Sequence, residues 1–172
     1  MTALGPPGAR SPSGRDTPRW ATRTLISTLI SALAVLGVGG LYGGGAMLVD
    51  PTGEGIGLSP QLLEPTPVGS YALPGLFILV VFGLLPILLA WAVWHRPALP
   101  ALSGVERRTG QHWSWVASLA VGVVLLVWLA AQMALIGFVA GPQLATAALA
   151  LLILAAAATP AMRRWLSAQP SA

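Results

Sequence analysis

The run TLISTLISALAVLGVGGLYGGGAMLV, from Thr24 to Val49, decides the class of fold to which this chain belongs. It contains no Asp, Glu, Lys or Arg. It is longer than the roughly 20 residues that a helix needs to cross about 30 Å of hydrocarbon. Because lipid offers the backbone no hydrogen-bond partner, such a run should form an α-helix. We therefore predict a transmembrane helix over residues 24–49.

Three further runs have the same character, over residues 74–94, 113–140 and 143–162. Apolar residues make up 55% of the chain and charged residues 8%, against about 25% charged residues in a soluble domain. The alternation of an outer-membrane barrel is absent. There is no cysteine, which excludes disulfides and thiolate chemistry. The 172 residues therefore predict one all-α membrane domain, over residues 20–166.

The connections between these runs indicate how the helices are arranged. The third and fourth runs are joined only by Gly141, Pro142 and Gln143, and so short a link favours an antiparallel hairpin. Pro86 lies near the middle of the second run, where it removes a backbone hydrogen bond and should kink the helix. We predict an antiparallel four-helix transmembrane bundle.

The arginines predict the orientation. With both termini in the cytoplasm, all nine basic residues of the chain lie inside and the outer loops hold only acidic ones. The inside then carries +7 and the outside −3, which restores the formal charge of +4. This is the distribution that the positive-inside rule describes. We expect a multi-pass protein of the inner (plasma) membrane, with these inside arginines: Arg10, Arg15, Arg19, Arg23, Arg96, Arg107, Arg108, Arg163 and Arg164.

The terminal segments look unlike the rest. Residues 1–19 are rich in Pro, Gly, Ser and Arg, a composition typical of a disordered basic tail, and residues 167–172 form a short cytoplasmic tail. The first apolar run exceeds the 7–15 residues of a signal-peptide core and lacks a cleavage site, so it should remain as an anchor. The flanking arginines favour lipid phosphate, and not nucleic acid, as the counter-charge.

Candidate chemistry is sparse. No catalytic, metal or cofactor motif is found, and no span contains an ionisable residue of the kind that ion pathways use. The candidate site residues are Asp50, Glu54 and Gln132. Asp50 before Pro51 is typical of a turn, and we favour that interpretation over a cation site with Glu54. The Gln132 amide should bond to a neighbouring helix.

The glycines near the end of the first span have the spacing of helix-packing motifs. Gly39 and Gly43, and likewise Gly40 and Gly44, are four residues apart, which lets two helix backbones approach closely. Their partner could be the alanine-rich fourth span or a second copy of the chain. An unwound, ligand-lining segment is the third interpretation.

The segment GGGAMLVDPTGEGIGLSPQLLEPTPVGSYALPGLFILVVFGLLPILLA resembles small four-span membrane proteins common in actinobacteria. Their pattern is a glycine-rich helix end, Asp-Pro-x-Gly, a leucine-rich turn and a Pro-Gly-Leu helix start. The resemblance implies a fold and a class, with no assigned activity. The matching positions are Asp50, Pro51, Gly53, Leu62, Leu63, Pro74, Gly75 and Leu76.

Three function hypotheses remain open. The first is a non-enzymatic accessory or partner-binding membrane protein, whose partners are the lipid bilayer and a membrane protein or further copies of itself. The alternative is a small transporter or channel-like protein that uses the glycine-rich outer end of the first helix and the Pro86 kink. A membrane-embedded enzyme is the third. We expect no cofactor.

Overall fold

The computed structural model describes residues 18–63, 69–138 and 140–167. This part of the chain is helical, at 84% helix, and contains no strand. Of the predicted tails, residues 1–19 and 167–172, only residues 18, 19 and 167 are described, and Arg19 already belongs to the first helix. The prediction of an all-α protein is confirmed for the described part.

Four helices are long and apolar enough to cross a membrane, by length and composition. The first is α1, Arg19–Val49, and the third and fourth are α5, Trp113–Ile136, and α6, Ala140–Ala158. The second span, Ala72–His95, has three parts. It begins with α2, continues with a π-helical segment and ends with α3; the bounds are Ala72–Phe77, Ile78–Leu84 and Leu85–His95.

Short helices connect the spans. Turns of 3₁₀-helix occupy Glu54–Ile56, Pro60–Leu63 and Pro100–Leu102. Two short α-helices, α4 and α7, comprise Ser103–Thr109 and Pro160–Trp165.

The predicted link between the third and fourth spans lies elsewhere in the structure. Gly137 has a φ of 79°, a conformation that glycine adopts without strain, and it ends α5 at Ile136. Gly141, Pro142 and Gln143 belong to the start of α6, where the missing N–H of proline is harmless. The Gln143 side chain is buried and donates from Nε2 to the Gly137 carbonyl at 3.0 Å, which closes the connection.

The fourth span also ends before the predicted boundary at Met162. The α6 helix stops at Ala158, and a new helix begins at Thr159. The Thr159 side chain accepts a hydrogen bond from the Met162 N–H, and Pro160 takes the first helical position. A threonine cap followed by proline is a strong helix start, so the chain changes direction here.

The core is a layer of aliphatic side chains contributed by all four spans. Leu29 and Leu33 of α1, Leu89 of α3 and Ile153 of α6 are completely buried, as is Met162 of α7. Gly122 of α5 packs against Leu154 of α6. The outer surface is apolar as well, which suits contact with lipid tails.

The second span is irregular at the predicted kink. Pro86 cannot donate the N–H that an α-helix would give to the Phe82 carbonyl. In the structure the turns before Pro86 widen into the π-helical segment, and the Leu85 N–H bonds to the Val80 carbonyl. The irregularity lies in residues 78–84, ahead of the proline, because the ring displaces the preceding turn.

Candidate functional site

Asp50 forms a compact turn directly after α1. Its Oδ1 accepts hydrogen bonds from the Thr52 hydroxyl at 2.6 Å and the Thr52 N–H at 3.1 Å, and its Oδ2 accepts one from the Gly55 N–H at 2.7 Å. The Thr52 hydroxyl and the Gly55 N–H lower the pKa of this carboxyl below its ordinary value of 3.8. Backbone and hydroxyl donors thus use both oxygens, which is the geometry of an Asx turn.

Tyr71 fastens this turn to the start of the second span. Its hydroxyl donates to the Ser59 carbonyl at 2.8 Å, and its N–H donates to the Pro51 carbonyl at 2.9 Å. The ring lies against Gly53, whose φ is 81°. Only 6% of Tyr71 is exposed. The sequence does not predict these contacts, because they join residues that are 12 and 20 positions apart in the chain.

Glu54 is exposed. Its N–H donates to the Thr52 hydroxyl, but within the described residues its side chain makes no hydrogen bond to the Asp50 turn. Within the residues described, no group of three or more His, Cys, Asp or Glu side chains is placed to hold a metal ion.

Gln132 lies in a different place, partly buried in a groove between the four spans. This hollow, of about 570 Å³, is lined by apolar side chains, glycines, Thr146 and Gln132. Asp50 and Glu54 are not among the lining residues. Among the described residues Gln132 makes no side-chain hydrogen bond, so the expected bond to a neighbouring helix is not formed.

A second hollow, of about 580 Å³, adjoins the first. The two share Val35 of α1 with Leu149 and Leu152 of α6. They therefore form one long groove beside α1, which we call the α1 groove. At its other end the lining changes from glycine to hydroxyl residues, namely Thr24, Ser27, Thr28 and Ser31.

The four glycines of α1 divide between two faces. Gly40 and Gly44 are buried against the second span, where a Cβ on Gly40 would lie 2.2 Å from the Phe82 carbonyl oxygen and one on Gly44 would lie 2.6 Å from the Gly75 carbonyl oxygen. Gly39 and Gly43 have nothing within 4 Å of such a Cβ. The closely packed partner of Gly40 and Gly44 is thus the second span, and neither the fourth span nor a second copy, the two partners that the sequence left open.

A Glu-His-Ser arrangement lies at the arginine-rich end of the bundle. His112 Nδ1 is 2.8 Å from the Ser114 hydroxyl, and its Nε2 is 3.8 Å from Glu106 Oε1. Nδ1 also accepts the Ser114 N–H at 3.3 Å, and Nε2 lies 3.2 Å from the Pro97 carbonyl. Because Ser114 is completely buried and His112 caps α5, this group is structural and does not present a nucleophile.

A basic pocket of about 790 Å³ occupies the same end. The start of α1 contributes Arg19 and Arg23, the end of α3 leads into Arg96, and Trp165 of α7 closes one wall. Arg96 has a φ of 49°, the one positive value at a non-glycine residue in the described chain. A left-handed backbone of this kind costs about 1–3 kcal/mol, and the following proline disfavours it further.

Contacts with Trp165 hold Arg96 in this conformation. Its guanidinium donates to the Trp165 carbonyl at 3.2 Å and lies 4.7 Å above the indole ring. Sequence reasoning counted Arg96 among the membrane-flanking arginines and did not predict this role. A residue before proline ordinarily has an extended backbone, and the tertiary contact with α7 explains why Arg96 departs from that rule.

Comparison with family models, with curated proteins and with solved structures finds no match. The four apolar helices are those of a multi-pass membrane protein by length and composition.

Proposed function

We propose that this chain is an accessory protein of the inner membrane that docks one transmembrane helix of a partner protein in the α1 groove. Both termini lie in the cytoplasm and the spans alternate in direction. The arginines support this orientation, because all of them flank the same ends of the four spans and basic residues are retained inside. The resemblance to actinobacterial four-span proteins fits a bacterial membrane.

The observation that carries the proposal is an uncovered stripe on α1. Ser27, Ser31, Val35 and Gly39 recur every four residues, are exposed, and line the α1 groove. Three of the four, Ser27, Ser31 and Gly39, are small residues, which let a second helix approach closely on either side of Val35. The buried stripe of the same helix already packs against the second span, so the exposed stripe is available to a helix from outside.

The polar groups of the groove favour a helix over lipid tails. Ser27, Ser31 and Gln132 make no side-chain hydrogen bonds within the described residues, and hydrocarbon offers them none. A partner helix that carries hydroxyl or amide side chains would satisfy them, at about 0.6–2 kcal/mol for each contact.

The shape of the groove favours a different protein over a second copy. A two-fold dimer must bring the same patch of both chains together. The α1 groove is a concave surface lined along its length by α1 and α6, so two such grooves do not fill each other. A single helix, about 10–12 Å across with its side chains, presents the convex surface that the groove lacks.

Transport is the second candidate, and the π-helical segment beside Gly40 favours it because π-helical turns are frequent at functional sites. The α1 groove at this level has no charged side chain among its lining residues. An uncharged lining with small and polar residues therefore suits the docking of a helix better than the transport of an ion.

Affinity purification in mild detergent tests the proposal. Gly39→Leu places a bulky side chain in the groove at a position where an added Cβ has no atom within 4 Å. Val127→Leu is the matched control, because Val127 is 63% exposed and outside the groove. We expect one membrane protein to co-purify with the wild type and with Val127→Leu, and to be lost with Gly39→Leu. Equal recovery with all three proteins would contradict docking in the groove. Recovery of a differently tagged second copy, lost with Gly39→Leu, would replace the partner by a homodimer.

A further inference from the structure

We propose that the basic pocket at the arginine-rich end binds the phosphate group of an anionic phospholipid. The pocket adjoins the α1 groove, with which it shares Arg23 and Ser27, and lies where the ends of three spans meet. Arg19, Arg23 and Arg96 bring three guanidinium groups to one cavity of about 790 Å³, and no carboxylate is among its lining residues.

The positive charge of the pocket is not neutralised inside the described chain. Within the described residues Arg19, Arg23 and Arg96 make no ion pair, and the Glu106 carboxylate lies 3.8 Å from His112. Guanidinium groups form paired hydrogen bonds with phosphate oxygens, and clusters of them mark anion sites.

The start of α1 adds to this charge. The helix has 31 residues, its first turn contains no acidic side chain, and its N-cap is Pro18, whose side chain has no acceptor. The Pro18 carbonyl accepts the Thr22 N–H at 3.2 Å, which leaves the N–H groups of the first helical residues without an intrahelical partner. These N–H groups carry partial positive charge, and a phosphate oxygen at the Arg19 N–H supplies an acceptor.

Trp165 makes the pocket a built site and not a loose collection of arginines. It orients Arg96 through its carbonyl and its ring, and the remaining guanidinium N–H groups stay available. The indole N–H of Trp165 is buried and has no acceptor among the described residues. Unmet hydrogen bonding of a buried donor is uncommon, and here it falls on a wall of the basic pocket.

The surroundings identify a lipid as the source of the phosphate. The pocket continues onto Ile26 of α1 and Trp94 of α3, and 62% of Trp94 is exposed. Tryptophan at a span end marks the headgroup level of a bilayer. A phospholipid places its phosphate at this level and its acyl chains along the apolar spans below, whereas free phosphate would use the arginines alone. Basic pockets between transmembrane helices bind anionic headgroups in this manner.

The test is a lipid titration of the purified protein in phosphatidylcholine nanodiscs. Phosphatidylglycerol is added in increasing fraction, and the melting temperature and the lipid retained on extraction are measured. We expect phosphatidylglycerol to raise the melting temperature and to be retained by the wild type. Arg23→Gln and Arg96→Gln should each lower the affinity roughly tenfold.

Arg108→Gln is the matched control, because it removes the same charge from the same end of the bundle at an exposed residue outside the pocket. It should leave the affinity unchanged. Equal losses in all three variants would show that charge alone attracts the lipid and would overturn the site. Arg23→Gln, whose side chain makes no hydrogen bond in the described chain, keeps the test valid if Arg96→Gln fails to fold.

Inorganic phosphate separates the two sources of the anion. We expect millimolar phosphate to leave the melting temperature and the retained lipid unchanged. Stabilisation by phosphate that matches the effect of phosphatidylglycerol would overturn the lipid assignment in favour of a soluble anion.

Discussion

Gly40→Ala tests the packing of the first span against the second. A Cβ on Gly40 would lie 2.2 Å from the carbonyl carbon and oxygen of Phe82 and 2.5 Å from the Gly83 nitrogen. These are backbone atoms, so no side-chain rotation relieves the clash. The contact must retreat from 2.2 Å to at least 3.4 Å, and the two helices must separate by about 1.2 Å at this point.

Gly39→Ala is the matched control, since the same methyl group meets nothing within 4 Å. Overpacking of this kind costs about 1–3 kcal/mol. The higher helix propensity of alanine returns up to about 1 kcal/mol at either position. We expect the Gly40 variant to be destabilised by about 1–2 kcal/mol and the Gly39 variant to be unchanged or slightly more stable.

The assay is unfolding by sodium dodecyl sulfate in mixed micelles, followed by tryptophan fluorescence. Trp128 packs against Phe77 and Phe82 of the second span, with ring centroids 4.8 and 6.2 Å away, so its emission should report separation of the spans. Equal stability of the two alanine variants would refute the close approach at Gly40.

Three further predictions concern the ends of the bundle. Cysteines at the exposed positions Glu54 and Ala101 should differ in labelling by an impermeant thiol reagent on intact cells: labelling at Glu54→Cys only is expected, and the reverse would invert the topology. Asp50→Asn should fold nearly normally and Asp50→Leu should melt at a lower temperature, because asparagine can still accept the turn's hydrogen bonds; calcium should not stabilise the wild type, and a shift lost in Asp50→Asn would make the turn a cation site. Since the folded pKa of Asp50 is depressed, its stabilising effect is present above the unfolded pKa and is lost as the pH falls through the folded pKa, so Asp50→Asn should flatten the melting-temperature profile below about pH 4. Tyr71→Phe removes the hydrogen bond to Ser59 and should destabilise the protein by about 1 kcal/mol in the detergent unfolding assay, whereas no change would mean that the loop is not fastened there.

The four apolar helices could be predicted from the sequence because hydrocarbon imposes one strong condition on every residue of a span. The length of an apolar run and its lack of charged residues can be read from the sequence without knowing which residues pack against it. The ends of the helices depend on one or two local residues, and at those ends the local signals and the apolar pattern of the sequence disagree. Gly137 and Thr159 both carry end signals, but the apolar pattern runs past them, so hydropathy alone extended the spans too far.

The candidate site depended on contacts that a linear pattern does not contain. The pairs Gly39–Gly43 and Gly40–Gly44 have the same spacing in the sequence. Gly40 nevertheless faces the second span and Gly39 the open groove, because the helix rotation is set by the packing of Leu29 and Leu33. The left-handed backbone of Arg96 follows from Trp165, 69 residues away. Tertiary contacts between residues so far apart in the chain override the local backbone preference, and no local sequence pattern predicts them.

Site-specific photo-crosslinking in living cells tests the docking of a partner helix most directly. A benzophenone amino acid replaces Val35 in the α1 groove or Val127 outside it, two valines that are 62% and 63% exposed. We predict that the probe at Val35 forms a covalent adduct with one membrane protein, and that the probe at Val127 forms none. Absence of a protein adduct at Val35, or the same adducts at both positions, would contradict the account.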